Sequence, residues 1–190
     1  MDTLDLLEPL RTRKNRPYLV GEGLPATGNE VAASVERICS HLHQLDLQPA
    51  ELVAIRTRPV HDTVRVLIAL WRLGYPTLLV GEKVNATATE DLLRRTGCRL
   101  LIDQGAPQPG VDVTCTPLDT LTGAGASAIS KIRLPDRAAR CLPGAATVIA
   151  TSGSTSAPKL VVHSLQAHVS TARTAILKTG LTDPDRWLMS

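Results

Sequence analysis

The 190-residue sequence has few aromatic side chains. It contains no phenylalanine, two tryptophans and two tyrosines. Proteins that bind single-stranded nucleic acid stack the bases on aromatic side chains, and their basic residues form a patch or stripe. The basic residues of this chain are scattered, so the composition argues against a nucleic-acid partner.

The sequence also lacks paired cysteines. Its four cysteines stand far apart and form no CxxC pair: Cys39, Cys98, Cys115 and Cys141. This spacing argues against a disulfide scaffold and against a zinc site. His163 and His168 are five residues apart, which is the wrong interval for one helical face, so we expect no metal site there either.

No apolar stretch approaches the roughly 20 residues that cross a bilayer. The first ten residues, MDTLDLLEPL, carry two aspartates and a glutamate where a secretory signal would carry positive charge. The sequence therefore predicts a protein without a membrane span, in a reducing, cytoplasmic compartment.

The formal net charge of +3 is unevenly distributed. Residues 1–124 carry 13 Lys and Arg against 15 Asp and Glu, whereas residues 125–190 carry 8 against 3. The two parts thus contribute −2 and +5. The excess in the C-terminal third predicts that this part faces an anionic group, for which a phosphate ester would suffice. The basic run from Arg11 to Arg16 is interpreted as solvated surface.

Hydrophobic periodicity predicts alternating strands and helices. The expected helices start at Asn29, His61, Thr87 and Ser164, and three of them end at Gly74, Gly97 and Gly180. The expected strands are Leu52–Ile55, Thr77–Val80, Arg99–Ile102, Asp112–Cys115, Thr147–Ala150 and Leu160–His163. Continuous apolar strands between helices are typical of an α/β fold with a doubly wound, mainly parallel sheet. In residues 104–145 we expect short strands and connecting loops.

Single aromatic residues and histidines have structural interpretations. Trp71 lies at helical spacing with Val64 and Ile68, which indicates a core residue and not a cofactor platform. His41 and His43 are expected at the surface. His163 is interpreted as a structural residue at the end of a strand, with substrate contact as the alternative.

The segment Thr151–Lys159, TSGSTSAPK, is the one locally specific signal. A strand runs into consecutive small residues, and hydroxyls stand at Thr151, Ser152, Ser154, Thr155 and Ser156. Gly153 lets the backbone turn its N–H groups inward, as in anion-binding nests, and Lys159 adds a compact positive charge. Such a loop suits a polyphosphate, although its composition fits a Ser/Thr/Gly surface loop equally well.

Other catalytic patterns do not fit this chain. Walker A needs a glycine immediately before its lysine, but Pro158 precedes Lys159. The nucleophile elbow GxSxG is absent from the sequence. The glycines at 21–28 and 123–125 do not satisfy GxGxxG between a strand and a helix, which argues against a dinucleotide site.

The loop resembles the phosphate-binding loop of the acyl-adenylate-forming superfamily, which includes acyl-CoA synthetases and peptide-synthetase adenylation domains. The pattern of that superfamily is matched at Thr151, Ser152, Gly153, Ser154, Thr155, Pro158 and Lys159, and it departs at Ser156, where glycine is usual. Residues 52–103 are similar in order to the first α/β unit of the superfamily. The strings WRLG, HS and DRWL most resemble the o-succinylbenzoate-CoA ligase type.

The resemblance implies that residues 1–190 are the N-terminal part of an AMP-binding domain that is truncated at its C-terminal end. It implies ATP with Mg²⁺ and coenzyme A as substrates, besides a small carboxylate. The loop, including Ser156 and Lys159, would orient the β- and γ-phosphates, and no catalytic residue is assigned. A separate chain could supply the rest of the enzyme. The alternative is a non-catalytic remnant or split-enzyme subunit that only binds nucleotide phosphate.

Overall fold

The structure is a computed structural model that describes residues 5–12, 14–20, 25–57, 61–103, 113–122, 133–136, 138–151, 158–182 and 185. Its helices and strands alternate along most of the chain. In chain order they are α1 (Glu8–Thr12), β1 (Pro17–Leu19), β2 (Ala26–Thr27), α2 (Gly28–Leu42), β3 (Val53–Thr57), α3 (His61–Arg72), β4 (Thr77–Gly81), α4 (Ala86–Thr96), β5 (Leu100–Asp103), β6 (Thr114–Pro117), α5 (Leu118–Thr122), β7 (Thr147–Thr151), β8 (Lys159–His163) and α6 (Leu165–Thr179).

The central sheet has six strands in the order β6-β5-β3-β4-β7-β8. The pairs formed by β6, β5, β3, β4 and β7 are all parallel, and β8 alone runs antiparallel, against β7. A separate antiparallel pair joins β1 and β2. The predicted mainly parallel α/β sheet is therefore confirmed, and all six predicted strands are present with bounds that differ by at most two residues.

Alternate residues of the strands enter two different hydrophobic cores. Val53 and Ile55 of β3 pack with α2 and α3 on one face of the sheet. Leu52 and Ala54 pack with Leu92 and other residues on the opposite face, where α4 lies. A strand with apolar side chains on both faces is buried on both sides, as in a doubly wound sheet. This explains why the strands read as continuous apolar runs.

The helix α2 buries the face that the sequence predicts. Five apolar side chains along it and just beyond it are at most 7% exposed: Val31, Val35, Ile38, Leu42 and Leu45. Fully burying each such side chain contributes about 1.5–3 kcal/mol to the free energy of unfolding. The predicted N-cap at Asn29 is wrong, because Thr27 caps the helix in a capping box with Glu30. Thr27 has the extended dihedrals of an N-cap (φ −74°, ψ 163°), and its hydroxyl accepts from the Glu30 N–H.

The predicted capping box of α4 is also wrong, and it too lies after the residue that caps the helix. Asn85, two residues before Thr87, caps the helix by accepting the Ala88 N–H at 2.9 Å. The predicted ends of three helices are confirmed by glycines with positive φ: Gly74 at 76°, Gly97 at 70° and Gly180 at 68°. An L-residue with a Cβ seldom adopts this conformation, so glycine ends these helices at low cost.

Two short helices near the chain's start and middle were not predicted individually. α1 and α5 have five residues each, which is too few to show a helical period. They are held instead by burial, because Leu10, Leu118 and Leu121 are at most 3% exposed. The expectation of only strands and loops in residues 104–145 is therefore incomplete.

The described part of the chain contains no helix that combines the length and the apolar character needed to cross a bilayer. All four cysteines are free thiols, and two of them, Cys39 and Cys98, are buried. Burial raises the pKa of the Cys39 thiol above its usual value. Arg11 and Lys14 are exposed, as predicted for the basic run, and Arg11 pairs with Glu36 at 2.6 Å.

Candidate phosphate-binding site

The loop predicted to bind phosphate leaves the sheet at the carboxyl ends of the parallel strands. β3 and β4 end in register, with Thr57 opposite Gly81. β7 runs parallel to β4 with Ile149 opposite Leu79, so that its last residue, Thr151, lies at the same edge. Ligands of open α/β sheets bind outside the carboxyl ends of the strands. The loop therefore starts at the edge where this fold class places its ligands.

The two ends of the loop meet on one antiparallel ladder. Thr151 is the ladder partner of Lys159, and the Thr151 hydroxyl donates to the Lys159 carbonyl oxygen at 3.3 Å. Both side chains are exposed. Directly opposed residues of a ladder project from the same face of the sheet, so the hydroxyl and the ammonium group lie on one side of the hairpin. The described ends of the segment are thus held next to each other on the sheet.

The structure places two of the seven predicted site residues, Thr151 and Lys159, and brings them together. The other five lie outside the described residues: Ser152, Gly153, Ser154, Thr155 and Ser156. Their contribution to phosphate binding stays a prediction.

A buried arginine organises the same edge of the sheet. The Arg56 Nε donates to the Asp103 carboxylate at 2.8 Å, and the two side chains are 6% and 10% exposed. The Arg56 Nη1 donates to the carbonyl oxygens of Gly81 and Val84 at 3.3 and 3.0 Å. Its Nη2 donates to the Thr89 hydroxyl at 3.1 Å. One guanidinium thus ties the ends of β3 and β5 to the turn between β4 and α4.

Sequence reasoning missed this cluster, although a signal was present. Arg56 directly follows the predicted strand Leu52–Ile55, and Asp103 directly follows the predicted strand Arg99–Ile102. Opposite charges after two strands of one parallel sheet lie at the same edge and can pair there. Periodicity counts only apolar positions, and so it passes over such a pair.

A second buried ion pair lies at the opposite edge and is structural. Two Arg99 nitrogens, Nε and Nη2, donate to the two oxygens of Glu51 at 2.8 and 2.6 Å. The hydrogen bonds to Glu51 raise the pKa of the Arg99 guanidinium. Arg99 also donates to the Asp46 carbonyl oxygen at 3.0 Å, which ties the turn after α2 to the start of β5. Because this ion pair lies at the opposite edge of the sheet, it adds no positive charge to the candidate phosphate loop.

Two histidines and a tryptophan join α6 to the sheet. The Trp71 ring stacks on His168 with centroids 5.3 Å apart, and His163 lies 5.6 Å from His168. The Trp71 Nε1 donates to the Ala146 carbonyl oxygen at 3.0 Å, and the His168 Nε2 hydrogen-bonds the Thr147 hydroxyl. Burial, with a smaller effect of His163, lowers the pKa of His168. Trp71 is thus half-buried and is not among the residues of the two hydrophobic cores, so its predicted core position is not confirmed.

The five-residue interval does not keep His163 and His168 apart, because one ends a strand and the other lies in the next helix. Among the described residues no group of three or more His, Cys, Asp or Glu side chains could hold a metal ion.

The surface position predicted for His43 is confirmed, but that for His41 is wrong. His41 is 8% exposed and its Nδ1 hydrogen-bonds the Leu121 carbonyl oxygen at 3.0 Å, because it lies three residues after buried Ile38.

Comparison with known proteins agrees with the mainly parallel α/β fold. Residues 7–190 match the sequence profile of the AMP-binding enzyme family. The chain belongs to that family. The match begins in the loop before α1 and includes the whole hairpin of β7 and β8.

Curated relatives of the chain carry one name. A 2-succinylbenzoate--CoA ligase from Listeria monocytogenes serotype 4b (strain F2365) is 28% identical over 185 residues, which cover 96% of this chain and 38% of that protein. The 2-succinylbenzoate--CoA ligase of Escherichia coli (strain K12) is 24% identical over 161 residues, 85% of this chain and 33% of the relative. The chain therefore spans little more than a third of the length of these relatives.

Solved structures share the fold at low identity. O-succinylbenzoate coenzyme A synthetase (MenE) from Bacillus subtilis, in complex with ATP and magnesium ion, superposes with a TM-score of 0.77 at 23% identity. The superposition covers 95% of this chain and 48% of the MenE chain. The Klebsiella oxytoca NpsA N-terminal subdomain, in complex with 3-hydroxybenzoyl-AMSN, gives 0.66 at 22% identity over 83% of this chain and 39% of that one.

Proposed function

We propose that the chain is the N-terminal part of an ATP-dependent carboxylate–CoA ligase, and that its loop 151–159 holds the β- and γ-phosphates of ATP. The observation that carries this proposal is the closed hairpin base, with Thr151 and Lys159 paired at the carboxyl edge of the sheet. The family match and the name shared by the curated relatives support it.

The described residues suit an anionic ligand. Lys159 has an exposed, positively charged side chain, and its ladder partner Thr151 is exposed on the same face. The excess of positive charge in residues 125–190 adds to the attraction. Magnesium would accompany the nucleotide as part of the substrate, since MgATP is the chemical form that such loops orient.

The proposed reaction has two steps. A carboxylate oxygen of the acid attacks the α-phosphorus of ATP, the bond to the bridging oxygen breaks, and an acyl-adenylate and pyrophosphate form. The thiol of coenzyme A then attacks the acyl carbon, loses its proton, and displaces AMP. In this scheme the loop residues are not nucleophiles. They orient the leaving pyrophosphate and offset its growing negative charge.

The choice of acid follows from relatives and stays part of the proposal. The curated relatives are named for 2-succinylbenzoate, and the solved structures include a MenE bound to the product analogue OSB-NCoA. An aromatic dicarboxylate of that class is the substrate to test first. A cytoplasmic location is part of the same proposal, supported by the four free thiols.

Phosphate binding is tested by calorimetry with MgATP and with pyrophosphate. Lys159→Ala should weaken binding about tenfold or more, because it removes a charge-assisted contact. Lys178→Ala is the matched control, since this lysine is also exposed but lies in the last turn of α6. The proposal fails if the unaltered chain binds neither ligand at millimolar concentration, or if both variants lose the same affinity.

A second candidate function is phosphate binding without catalysis. It is favoured by the share of the relatives that this chain spans, 38% of the first ligase. A carboxylate-dependent pyrophosphate-exchange assay separates the two candidates. The 190-residue chain should be inactive alone and become active when a polypeptide corresponding to the remaining length of the relatives is added. Activity of the chain alone would contradict this division, and binding without any rescue would favour the non-catalytic function.

A further inference from the structure

A side chain of α4 contacts the end of the candidate phosphate loop. The Arg95 Nη2 donates to the Pro158 carbonyl oxygen at 3.4 Å, across 63 residues of sequence. Pro158 immediately precedes Lys159, the residue on which the proposed phosphate contact depends. Since proline has no N–H, its carbonyl oxygen is the only backbone group through which Pro158 can be hydrogen-bonded.

The two residues that end the loop are therefore held through consecutive carbonyl oxygens. The Pro158 carbonyl accepts from Arg95, and the Lys159 carbonyl accepts from the Thr151 hydroxyl. Fixing two successive peptide planes fixes the backbone dihedrals of Lys159 between them. The direction in which the Lys159 side chain leaves the backbone is then set by contacts from α4 and from β7.

Arg95 is distinguished from the arginine beside it. Both pair with Asp91, Arg94 at 2.8 Å and Arg95 at 3.7 Å. The Arg94 side chain is 68% exposed, whereas that of Arg95 is 38% exposed and turned toward the loop. The hydrogen bonds and charges of these two arginines lower the pKa of the Asp91 carboxyl, so it remains ionised near neutral pH and orients them. The pair offers a natural control.

We propose that Arg95 is a positioning residue of the phosphate site, which holds Pro158 so that Lys159 faces the polyphosphate. This proposal rests on the function proposed above for Lys159, but its structural part does not need a ligand. Arg95 is not assigned contact with the substrate. It acts through the backbone of the loop and adds a second positive charge at the loop's C-terminal end.

The structural part is tested without ligand by amide NMR of the 190-residue chain. Arg95→Ala should shift the amide resonances of Lys159 and Leu160, and Arg94→Ala should leave them in place. Arg95→Lys, which keeps the charge but loses the planar fork, should give an intermediate shift. Equal shifts in the two alanine variants, or none in either, would overturn the proposal.

The functional part is tested by titrating the same variants with MgATP. Arg95→Ala should weaken binding about three- to tenfold, the value of one hydrogen bond from a charged donor that is partly solvated. Arg94→Ala should change it less than about twofold, as expected for an exposed ion pair. If the unaltered chain fails to bind MgATP, the function proposed for the loop is wrong, and the ligand-free shifts still decide whether Arg95 positions it. If Arg95→Ala shifts the amide resonances without ligand but does not weaken MgATP binding, the role proposed for Arg95 in binding is wrong.

Discussion

The buried guanidinium of Arg56 should be the most costly single charge to remove from the carboxyl edge of the sheet. It pairs with Asp103, and the two side chains are 6% and 10% exposed. Arg56→Ala would remove the Arg56 charge from the buried Asp103 carboxylate and would take a donor from the Gly81 and Val84 carbonyl oxygens. Breaking a buried pair from one side costs about 3–5 kcal/mol of unfolding free energy.

The assay is urea denaturation followed by circular dichroism. With an m-value of about 2 kcal/mol/M, this loss lowers the midpoint by about 1.5–2.5 M. Arg94→Ala, which breaks an exposed pair with Asp91, is the control and should leave the midpoint within error. The double replacement Arg56→Met with Asp103→Leu should recover part of the loss, because it removes both buried charges. If Arg56→Ala moves the midpoint no further than Arg94→Ala, the buried pair does not hold this edge.

Two further predictions concern α6 and the strand before it. The folded-state pKa of His168 lies below its usual value of 6.5, so the folded chain binds fewer protons than the unfolded chain. The contribution of neutral His168 to the unfolding free energy is therefore complete above about pH 6.5 and is lost as pH falls below that value. His168→Asn should make the urea midpoint less dependent on pH between pH 8 and 5.5. His43→Asn should leave this pH dependence unchanged. Val162 is 52% exposed on the edge strand β8. Val162→Lys should reduce self-association measured by light scattering, because a charge on an edge strand hinders pairing with a strand of another chain. Leu177→Lys, on the outer face of α6, should reduce self-association less. Equal effects of the two variants would show that the chains do not associate through β8.

Most of the sheet was predictable because its strands are covered on both faces. Strands β3 and β5 contain the short continuous apolar runs Leu52–Ile55 and Leu100–Ile102, and glycines end the helices between them. The order of strands was not predictable from these runs. It places β3 between β5 and β4, and only the pairing register shows that Thr57, Gly81 and Thr151 end at one edge.

The errors in the sequence prediction share a physical origin. Caps at Asn29 and Thr87 were placed two residues late, because a Ser, Thr, Asn or Asp occurs often near a helix start and only backbone dihedrals decide which one caps it. His41 was placed at the surface because it flanks a helix face, but its Nδ1 hydrogen-bonds a buried carbonyl oxygen. Buried polar groups become acceptable when such a partner exists, and that partner is distant in sequence.

The candidate site combines a rigid foundation with an exposed binding group, which makes stability and affinity separable. Arg56 is buried and holds the turn next to β7, so its removal should lower the unfolding free energy and weaken MgATP binding together. Lys159 is exposed and contacts the fold through its backbone, so Lys159→Ala should weaken binding and leave the urea midpoint unchanged. Arg95 lies between these cases, because its side chain is 38% exposed and acts on the loop from α4. A Lys159→Ala variant that unfolded at lower urea would show that the lysine side chain supports the sheet edge, and its role in binding phosphate would then lose its structural argument.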